Sequence, residues 1–265
     1  MQMKRVERVQ YIAVDFTGNP CSTQGFTSRH EGVSRPPYNS LNLGMNTNDQ
    51  QSNVEGNRSL LARAFGVSQE ALVTPKQVHG VDILVINEPN EDFTHFLSVE
   101  GDAIITNQPK VMIGVCVADC VPILLCDPEK KVIAAVHAGW KGTAGQLVSK
   151  AVAGMKSEFG CDPKRLQAAI GPCIQKCCYE VDAPVKQAFV QSGIAWASFA
   201  ELCGEEKWRL DLAAANRELL LLAGLPADAI QLSDDCVCCR SELFFSYRRD
   251  KEESGRQMGF IMLNQ

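Results

Sequence analysis

Three short apolar runs in the middle of the chain have the pattern of buried β-strands. Ala103–Thr106, Met112–Val117 and Val132–His137 are rich in β-branched residues, and each is bounded by Gly, Pro, Asn or Asp. Continuous apolar runs of this length, ended by turn residues, are typical of strands with both faces covered. We therefore predict three core strands here.

The rest of the chain alternates between strand-like and helix-like segments. Apolar periodicity with start and stop signals predicts helices at Ser52–Phe65 (N-cap Ser52 or Asn53), Gly145–Phe159, Ala183–Gln191 and Leu212–Leu222. Further strands are predicted at Gln10–Phe16, Gly25–Ser28, Leu72–Gln77, Asp82–Val85, Leu166–Ile170, Ile230–Leu232, Leu243–Tyr247 and Phe260–Leu263. Residues 29–49 are dense in Gly, Pro, Asn and Ser, which predicts a long loop. Strands mixed with a few helices, without a regular βαβ rhythm, predict a layered α/β or α+β fold with mixed sheets.

Composition and charge favour a single globular domain that spans residues 1–265. No linker or low-complexity segment divides the chain, and 45% of its residues are hydrophobic, which is enough to bury a core. A net charge of -5 without a basic cluster argues against nucleic acid and anionic membranes as partners. Because there is neither a bilayer-length apolar run nor a signal-peptide pattern, we expect a cytoplasmic protein whose twelve cysteines are mostly reduced. The oligomeric state, monomer or dimer, is left open.

Three residues that can bind a metal lie beside predicted turns. Cys120 and His137 are 17 residues apart with a strand–turn–strand pattern between them, and His79 precedes them in the sequence QVHG. One Cys and two His are the ligand set of an open zinc site, whose fourth position is available to water or substrate. The same residues permit a second chemistry, in which Cys120 is a nucleophile, His137 its base and Asp119 the orienting acid. We favour the zinc site. Asp119 and Cys120 are adjacent, and adjacent residues on a strand point to opposite faces, so Asp119 would need a turn to assist Cys120.

Other thiol and cationic residues have simpler interpretations. Two groups of cysteines could form a second metal cluster, but their spacings are C-x3-C-C and C-x-C-C rather than C-x2-C, so a half-buried or incidental thiol cluster is favoured: Cys173, Cys177, Cys178, Cys236, Cys238 and Cys239. Arg58 and Lys141 are by default solvated, whereas the pair Arg248-Arg249 after an apolar run can hold a phosphate or carboxylate. The chain has no P-loop, G-x-G-x-x-G or G-x-S-x-G motif, so ATP, dinucleotide and serine-hydrolase functions lack support.

Several motifs together resemble one known family. They are QVHG at 77–80, ADC-x-P at 118–122, HAGW-x-G at 137–142, GP-x-I-x-x-x-C-Y-E-V at 171–181, and FFSYRRD followed by GR at 244–256. With NLG at 42–44 and NR at 57–58, this set resembles the multicopper polyphenol oxidase-like, or laccase-domain, family, which includes bacterial purine nucleoside phosphorylases and peptidoglycan editing factors. Lys141 stands where the family usually has arginine, which keeps the charge but not the planar fork.

The resemblance implies a fold, a metal and an activity. It implies a single-domain layered α/β sandwich with zinc bound by His79, Cys120 and His137, which are then also the catalytic residues. It implies phosphorolysis of adenosine, inosine and methylthioadenosine, and deamination of adenosine, with a nucleoside and phosphate as small-molecule partners. The residues assigned to substrate or phosphate are Asn42, Arg58, Gln77, Lys141 and Arg248. Copper is the alternative ion, although four histidines are too few for a multicopper centre.

Two other classes of function stay open. One is a peptidoglycan editing amidase or hydrolase that acts on cytoplasmic muropeptide precursors, through zinc-bound water or the Cys–His pair. The other is a non-enzymatic binding module with a structural zinc ion, which would unfold when the metal is removed.

Overall fold

The computed structural model describes residues 1–16, 21–88 and 93–264, and β-strands form most of its framework. Within these residues the strands are β1 (Gln2–Val6), β2 (Val9–Ala13), β3 (Ser22–Thr27), β4 (Leu72–Val73), β5 (Ile83–Ile86), β6 (Ala103–Thr106), β7 (Met112–Val117), β8 (Val121–Asp127), β9 (Val132–Ala138), β10 (Gln167–Ile170), β11 (Glu180–Val181), β12 (Ala200–Gly204), β13 (Lys207–Leu210), β14 (Ile230–Leu232) and β15 (Gln257–Leu263). The α-helices are α1 (Gln51–Ala64), α2 (Trp140–Ala144), α3 (Leu147–Phe159), α4 (Ala183–Gln191), α5 (Trp196–Phe199), α6 (Leu212–Leu222) and α7 (Tyr247–Asp250). Short 3-10 helices lie at Phe93–Ser98, Pro163–Arg165, Ala227–Ala229 and Lys251–Glu253.

Two mixed six-stranded sheets form the centre of the described part of the chain. One has the strand order β1-β2-β3-β15-β7-β4 and the other β14-β10-β8-β9-β6-β5, and a small third sheet has the order β11-β13-β12. Most neighbours are antiparallel, but β4 with β7, β5 with β6 and β10 with β14 pair in parallel. The predicted α/β fold with mixed sheets is therefore confirmed.

Apolar side chains fill three layers around these sheets. Phe26 of the first sheet and Leu124 of the second belong to the layer between them. On the outer face of the second sheet, Ile123 packs in a layer with Phe189 of α4 and with residues of α3 and α6. On the outer face of the first sheet, Leu61 of α1 contributes to the third layer. The order is helix, sheet, sheet, helices, which is the layered sandwich predicted for the family.

The clearest sequence patterns correspond to the observed elements. The strands predicted at Ala103–Thr106 and Met112–Val117 and the helices predicted at Ala183–Gln191 and Leu212–Leu222 have the observed bounds, and Val132–His137 extends by one residue. Residues 29–49 contain neither helix nor strand, as their composition predicts. The apolar pattern predicted these elements correctly because each of them buries a whole face.

Several predicted elements were wrong in type or extent. Leu243–Tyr247 is not a strand: it is buried loop as far as Ser246, whose side chain caps α7 by accepting from Arg249 N. The helix predicted at Gly145–Phe159 is α3, but it begins two residues later, at Leu147, because Gln146 adopts a φ of 58° between α2 and α3. Leu72–Gln77 shortens to β4, and α1 begins after Gln50 without a side-chain cap at Ser52 or Asn53.

β8 is the first strand of the strand–turn–strand pattern predicted between Cys120 and His137, and its bounds come from the structure, whereas the β12–β13 hairpin was missed. β8 contains Pro122, a residue that usually argues against a central strand. The hairpin strands are largely exposed, so they lack the apolar pattern that reveals a strand. Among the helices described, none is both long and apolar enough to cross a lipid bilayer.

Candidate active site

Antiparallel pairing of β8 with β9 brings Cys120 and His137 to the same end of the second sheet. Val121 pairs with Ala138 and Pro122 pairs with His137, so Cys120, directly before β8, lies beside the end of β9. The start of β6 lies at the same edge, where the backbone N–H of His137 donates to the carbonyl oxygen of Asp102 at 2.7 Å. The two strands of the predicted strand–turn–strand pattern are therefore neighbours, and their ends bring Cys120 and His137 to one site.

The carboxylate of Asp102 holds both histidines in position. Its Oδ1 lies 2.7 Å from Nδ1 of His137. It also accepts hydrogen bonds from the backbone N–H groups of Val78, His79 and Gly80 at 3.2, 3.0 and 2.6 Å, which fix the loop where His79 has a φ of 58°. Because Nδ1 of His137 faces Asp102, Nε2 is the nitrogen available to a metal.

His79, Cys120 and His137 form a compact triad. Their ligand atoms lie within 4.8 Å of one another, and Gly139 makes room for them, since a Cβ there would lie 3.0 Å from His79 Nδ1 and 3.1 Å from Cys120 Sγ. Two nitrogen donors and one sulfur donor suit a single ion such as zinc or copper. The donor set does not fit a multicopper centre, because the chain has four histidines and His30 and His95 lie outside this cluster.

Without a metal, Cys120 and His137 favour opposite charges. Burial raises the pKa of the Cys120 thiol, but the charge of His137 and hydrogen bonds with both histidines outweigh it and lower the pKa to about 6. Burial lowers the pKa of His137, while Cys120 and Asp102 raise it to about 9. A thiolate is both the metal-binding and the nucleophilic form of cysteine, so the electrostatics suit either chemistry.

Asp119, predicted as the orienting acid in the cysteine-nucleophile alternative, faces elsewhere, and that assignment was wrong. Its carboxylate accepts from Ser246 Oγ at 2.6 Å and from the backbone N–H of Arg248 at 2.5 Å, and its φ is 98°. It therefore ties the loop before α7 to the site, and Asp102 contacts His137 instead. The sequence signal for Asp102 was an acidic residue directly before a fully buried strand, where a charge needs partners.

A cavity of about 830 Å³ opens beside the triad. Besides the triad, its lining includes two tyrosines and five cationic residues: Tyr179, Tyr247, Arg58, Lys76, Arg248, Lys251 and Arg256. Among the described residues that line it, Asp119 is the one acid. Because the chain as a whole carries a net charge of -5, this positive wall is a local feature that favours an anionic ligand. Tyr179, Tyr247 and Arg256 were not predicted as site residues, although they belong to the motifs CYEV, SYRRD and GR.

Arg58 is the deepest cation of the cavity wall. The residue is 3% exposed, and its guanidinium donates to the carbonyl oxygens of Leu43 and Leu72 and to Thr74 Oγ1 at 3.4, 3.1 and 3.3 Å. Burial lowers the pKa of Arg58, but an arginine stays charged in proteins. In the described part of the chain no carboxylate forms a salt bridge with it. The default expectation of a solvated Arg58 was wrong, because α1 turns it toward the cavity.

The other predicted binding residues differ in their placement. Arg248 lines the cavity, and its guanidinium carbon lies 5.3 Å from the ring centroid of Tyr179. Gln77 also lines it, but its amide is paired with the backbone N–H and carbonyl of Cys116, both at 2.8 Å.

Asn42 and Lys141 do not line the cavity. The buried amide of Asn42 donates to Thr47 and Asp49 and accepts from the backbone N–H groups of Gly44 and Arg256. Lys141 is exposed on α2, with Nζ 5.6 Å from the ring centroid of Trp140. Asn42 thus organises the loop behind the wall, and Lys141 lies outside the cavity lining.

Known proteins resemble this chain over nearly its whole length. Residues 23–264 match the family described as multi-copper polyphenol oxidoreductase laccase. "Purine nucleoside phosphorylase YlmD" of Geobacillus stearothermophilus is 36% identical over 248 residues, which cover 89% of this chain and 88% of that protein. "Adenosine deaminase RL5", from an unknown prokaryotic organism, is 36% identical over 254 residues, 94% of this chain and 97% of that protein. The crystal structure of YlmD from Geobacillus stearothermophilus matches with a TM-score of 0.88 and 32% identity, covering 99% of this chain and 98% of that one. As its motifs predicted, the chain belongs to the multi-copper polyphenol oxidoreductase laccase family.

Proposed function

We propose that this protein is an enzyme, a purine nucleoside phosphorylase that also deaminates adenosine, with zinc held by His79, Cys120 and His137. Relatives that bear the names of both activities support this, at 36% identity each. The observation that carries the proposal is Arg58, a buried cation without a carboxylate partner among the described residues, on the wall of the cavity that also holds the triad.

Arg58 is proposed to bind phosphate. Phosphorolysis breaks the bond between the purine N9 and ribose C1′ and forms a bond between C1′ and a phosphate oxygen, while the purine takes up a proton. The reaction therefore requires a phosphate held beside the ribose. Guanidinium is suited to this because its fork matches two phosphate oxygens, and Arg256 and Lys251 line the same cavity.

The triad end of the cavity is proposed to face the purine. Tyr179 lines the cavity and offers an aromatic face against which a flat base can pack. Asp102 fixes the ring of His137, and the loop of His79 depends on the same carboxylate. Zinc, when bound, supplies Lewis acidity and lowers the pKa of a bound water to about 7, which is the chemistry that deamination at C6 requires.

Product analysis tests the proposed reaction directly. We would incubate purified, zinc-loaded protein with adenosine, with and without phosphate, and separate the products by chromatography. Adenine and ribose 1-phosphate that form only with phosphate would support phosphorolysis, and inosine that forms without phosphate would support deamination. If neither product formed, the proposal would be overturned, and the peptidoglycan editing hydrolase, assayed on a muropeptide precursor, would become the leading candidate.

The role of Arg58 is tested by Arg58→Gln, with Arg63→Gln on the same helix as the control. Loss of a charge-assisted contact of about 1.5–3 kcal/mol predicts a fall of roughly 10- to 150-fold in kcat/KM for phosphate. Deamination, which uses no phosphate, should change little. Arg63 is exposed and pairs with Glu7, so its variant should behave like the wild type. Equal losses of both activities in Arg58→Gln, with an unchanged unfolding midpoint, would contradict a phosphate-specific role.

A further inference from the structure

A second group of thiols converges in the loops next to the cavity. The Sγ atoms of Cys177, Cys178, Cys236 and Cys239 all lie within 4.8 Å of one another. The distances are 3.8 Å between Cys177 and Cys178, 3.7 Å between Cys177 and Cys239, and 3.4 Å between Cys178 and Cys239. Sulfur atoms about 2.3 Å from a tetrahedral ion lie about 3.8 Å apart, whereas a disulfide joins sulfurs at about 2.05 Å. These three distances are close to those of a tetrathiolate metal site, and Cys236 Sγ lies near enough to complete it.

The spacing of two of these four cysteines in the sequence also fits a metal site. Cys236 and Cys239 are the two ends of a C-x2-C segment, which the description as C-x-C-C concealed. Cys173 and Cys238 lie outside the group of four. Cys173 is fully buried, and burial raises the pKa of its thiol well above the ordinary value, so it is a neutral core residue.

Backbone contacts hold the two cysteine loops in register. Val237 N–H donates to the carbonyl oxygen of Cys173 at 3.1 Å, and Gln175 N–H points to Cys236 Sγ at 3.5 Å. Hydrogen bonds from amide groups to a ligand sulfur stabilise the thiolate that a metal requires.

We propose that Cys177, Cys178, Cys236 and Cys239 bind one zinc ion as a structural site that is distinct from the His79–Cys120–His137 triad. A closed set of four thiolates suits a structural zinc, because it leaves no position for water or substrate. Such a site carries a net charge of about -2, and two arginines contact the backbone of its loops. Arg209 donates to the carbonyl oxygen of Cys177, and Arg249 donates to those of Val237 and Cys238.

The site would join two walls of the cavity. The first loop continues into Tyr179, and the second leads to Tyr247 and Arg248, all of which line the cavity. Arg248 Nη2 already donates to the carbonyl oxygen of Glu180 at 3.0 Å, and a zinc ion between the loops would reinforce this contact. The proposal does not depend on which reaction the cavity supports.

Metal stoichiometry tests the site. Wild-type protein, purified under reducing conditions and equilibrated with zinc, should contain two zinc ions per chain by elemental mass spectrometry. His79→Ala and the double variant Cys236→Ser/Cys239→Ser should each contain one, and their combination none. Cys203→Ser removes an exposed thiol outside the cluster and should keep two. One zinc per chain in the wild type, lost in His79→Ala alone, would overturn the proposal.

Cobalt substitution and thiol labelling of wild-type protein keep the test decisive if the cysteine variants fail to fold. Cobalt-loaded protein should show intense thiolate-to-cobalt charge-transfer absorption that His79→Ala retains. Zinc should protect Cys177, Cys178, Cys236 and Cys239 from alkylation, while Cys203 is labelled. Iron with acid-labile sulfide at the site, or disulfides among these four residues in freshly reduced protein, would contradict the zinc assignment.

Discussion

At the scale of single residues, Asp102 organises the candidate site without belonging to its three ligand candidates. Its side chain is fully buried and contacts three backbone N–H groups and the Nδ1 atom of His137. Burial alone would raise the pKa of this carboxyl, but the hydrogen bond and charge of His137 and the amides of Gly80 and Val78 lower it below its ordinary value. Asp102 is therefore ionised and holds both histidines with one charge.

We predict that Asp102→Asn weakens metal binding at the triad about 10- to 100-fold, because the loss of an outer carboxylate reduces the basicity and orientation of a ligand histidine. Competition with a chromophoric chelator would measure the change. Asp82→Asn, which alters an exposed residue at the end of the same loop, is the control and should bind metal as the wild type does. Unchanged affinity in Asp102→Asn would show that the backbone alone positions the ligands.

At the scale of secondary-structure elements, β8 joins the site to two of the three apolar layers. Ile123 and Leu125 face the helices on the outer side of the second sheet, while Leu124 and Cys126 face the first sheet. Alternate side chains of one strand thus contribute to two cores. Because Cys120 directly precedes β8, the packing of this strand determines where the thiol lies.

We predict that Leu124→Ala lowers the free energy of unfolding by about 2–5 kcal/mol, the usual cost of a cavity at a fully buried leucine. Urea unfolding followed by fluorescence would measure it. Leu222→Ala on α6 is the matched control, since Leu222 is 74% exposed and its loss should change stability by less than about 0.5 kcal/mol. If Leu124→Ala lowered the free energy of unfolding by less than about 1 kcal/mol, the two sheets would have to close around the smaller side chain, because a cavity that persists costs more than this.

At the scale of the whole molecule, the three apolar layers contain none of the triad residues. His137 is at the end of β9 and His79 is in a loop, whereas the layers are made by leucine, isoleucine, valine and phenylalanine of both sheets and their helices. The fold should therefore tolerate loss of the triad metal. That one domain spans residues 1–265 stays a prediction.

We predict that dialysis against a strong chelator abolishes activity but leaves the far-UV circular dichroism and a single cooperative unfolding transition, with a lowered midpoint. The midpoint falls because a ligand that binds only the folded state stabilises it. Activity should return when zinc is added back. Collapse of the circular dichroism on metal removal would instead show that the fold needs bound metal, at the triad as in a binding module with a structural zinc ion or at the proposed four-cysteine site.

The sequence by itself determined the family, the mixed-sheet α/β architecture and the elements with the strongest periodicity. Ala103–Thr106 and Met112–Val117 were predictable because a strand buried on both faces must be apolar throughout. The candidate triad was also accessible, because one Cys and two His are the ligand set of an open zinc site and these three residues lie in the family motifs QVHG, ADC-x-P and HAGW-x-G. These features depend on residue type and local spacing, which a sequence displays directly.

Only the tertiary structure decided which polar side chains meet. Asp102 rather than Asp119 contacts His137 because β6 begins at the edge where β9 ends, and this neighbour relation joins residues 35 positions apart. Arg58 of the NR motif faces the cavity because α1 packs on the first sheet. Asn42 of the NLG motif instead spends its amide on hydrogen bonds to Thr47 and Asp49 within its own loop. Four of the six cysteines in the two groups converge because the backbone bridge between Cys173 and Cys236 aligns two distant loops. Such contacts depend on strand order and packing, which a single sequence does not specify.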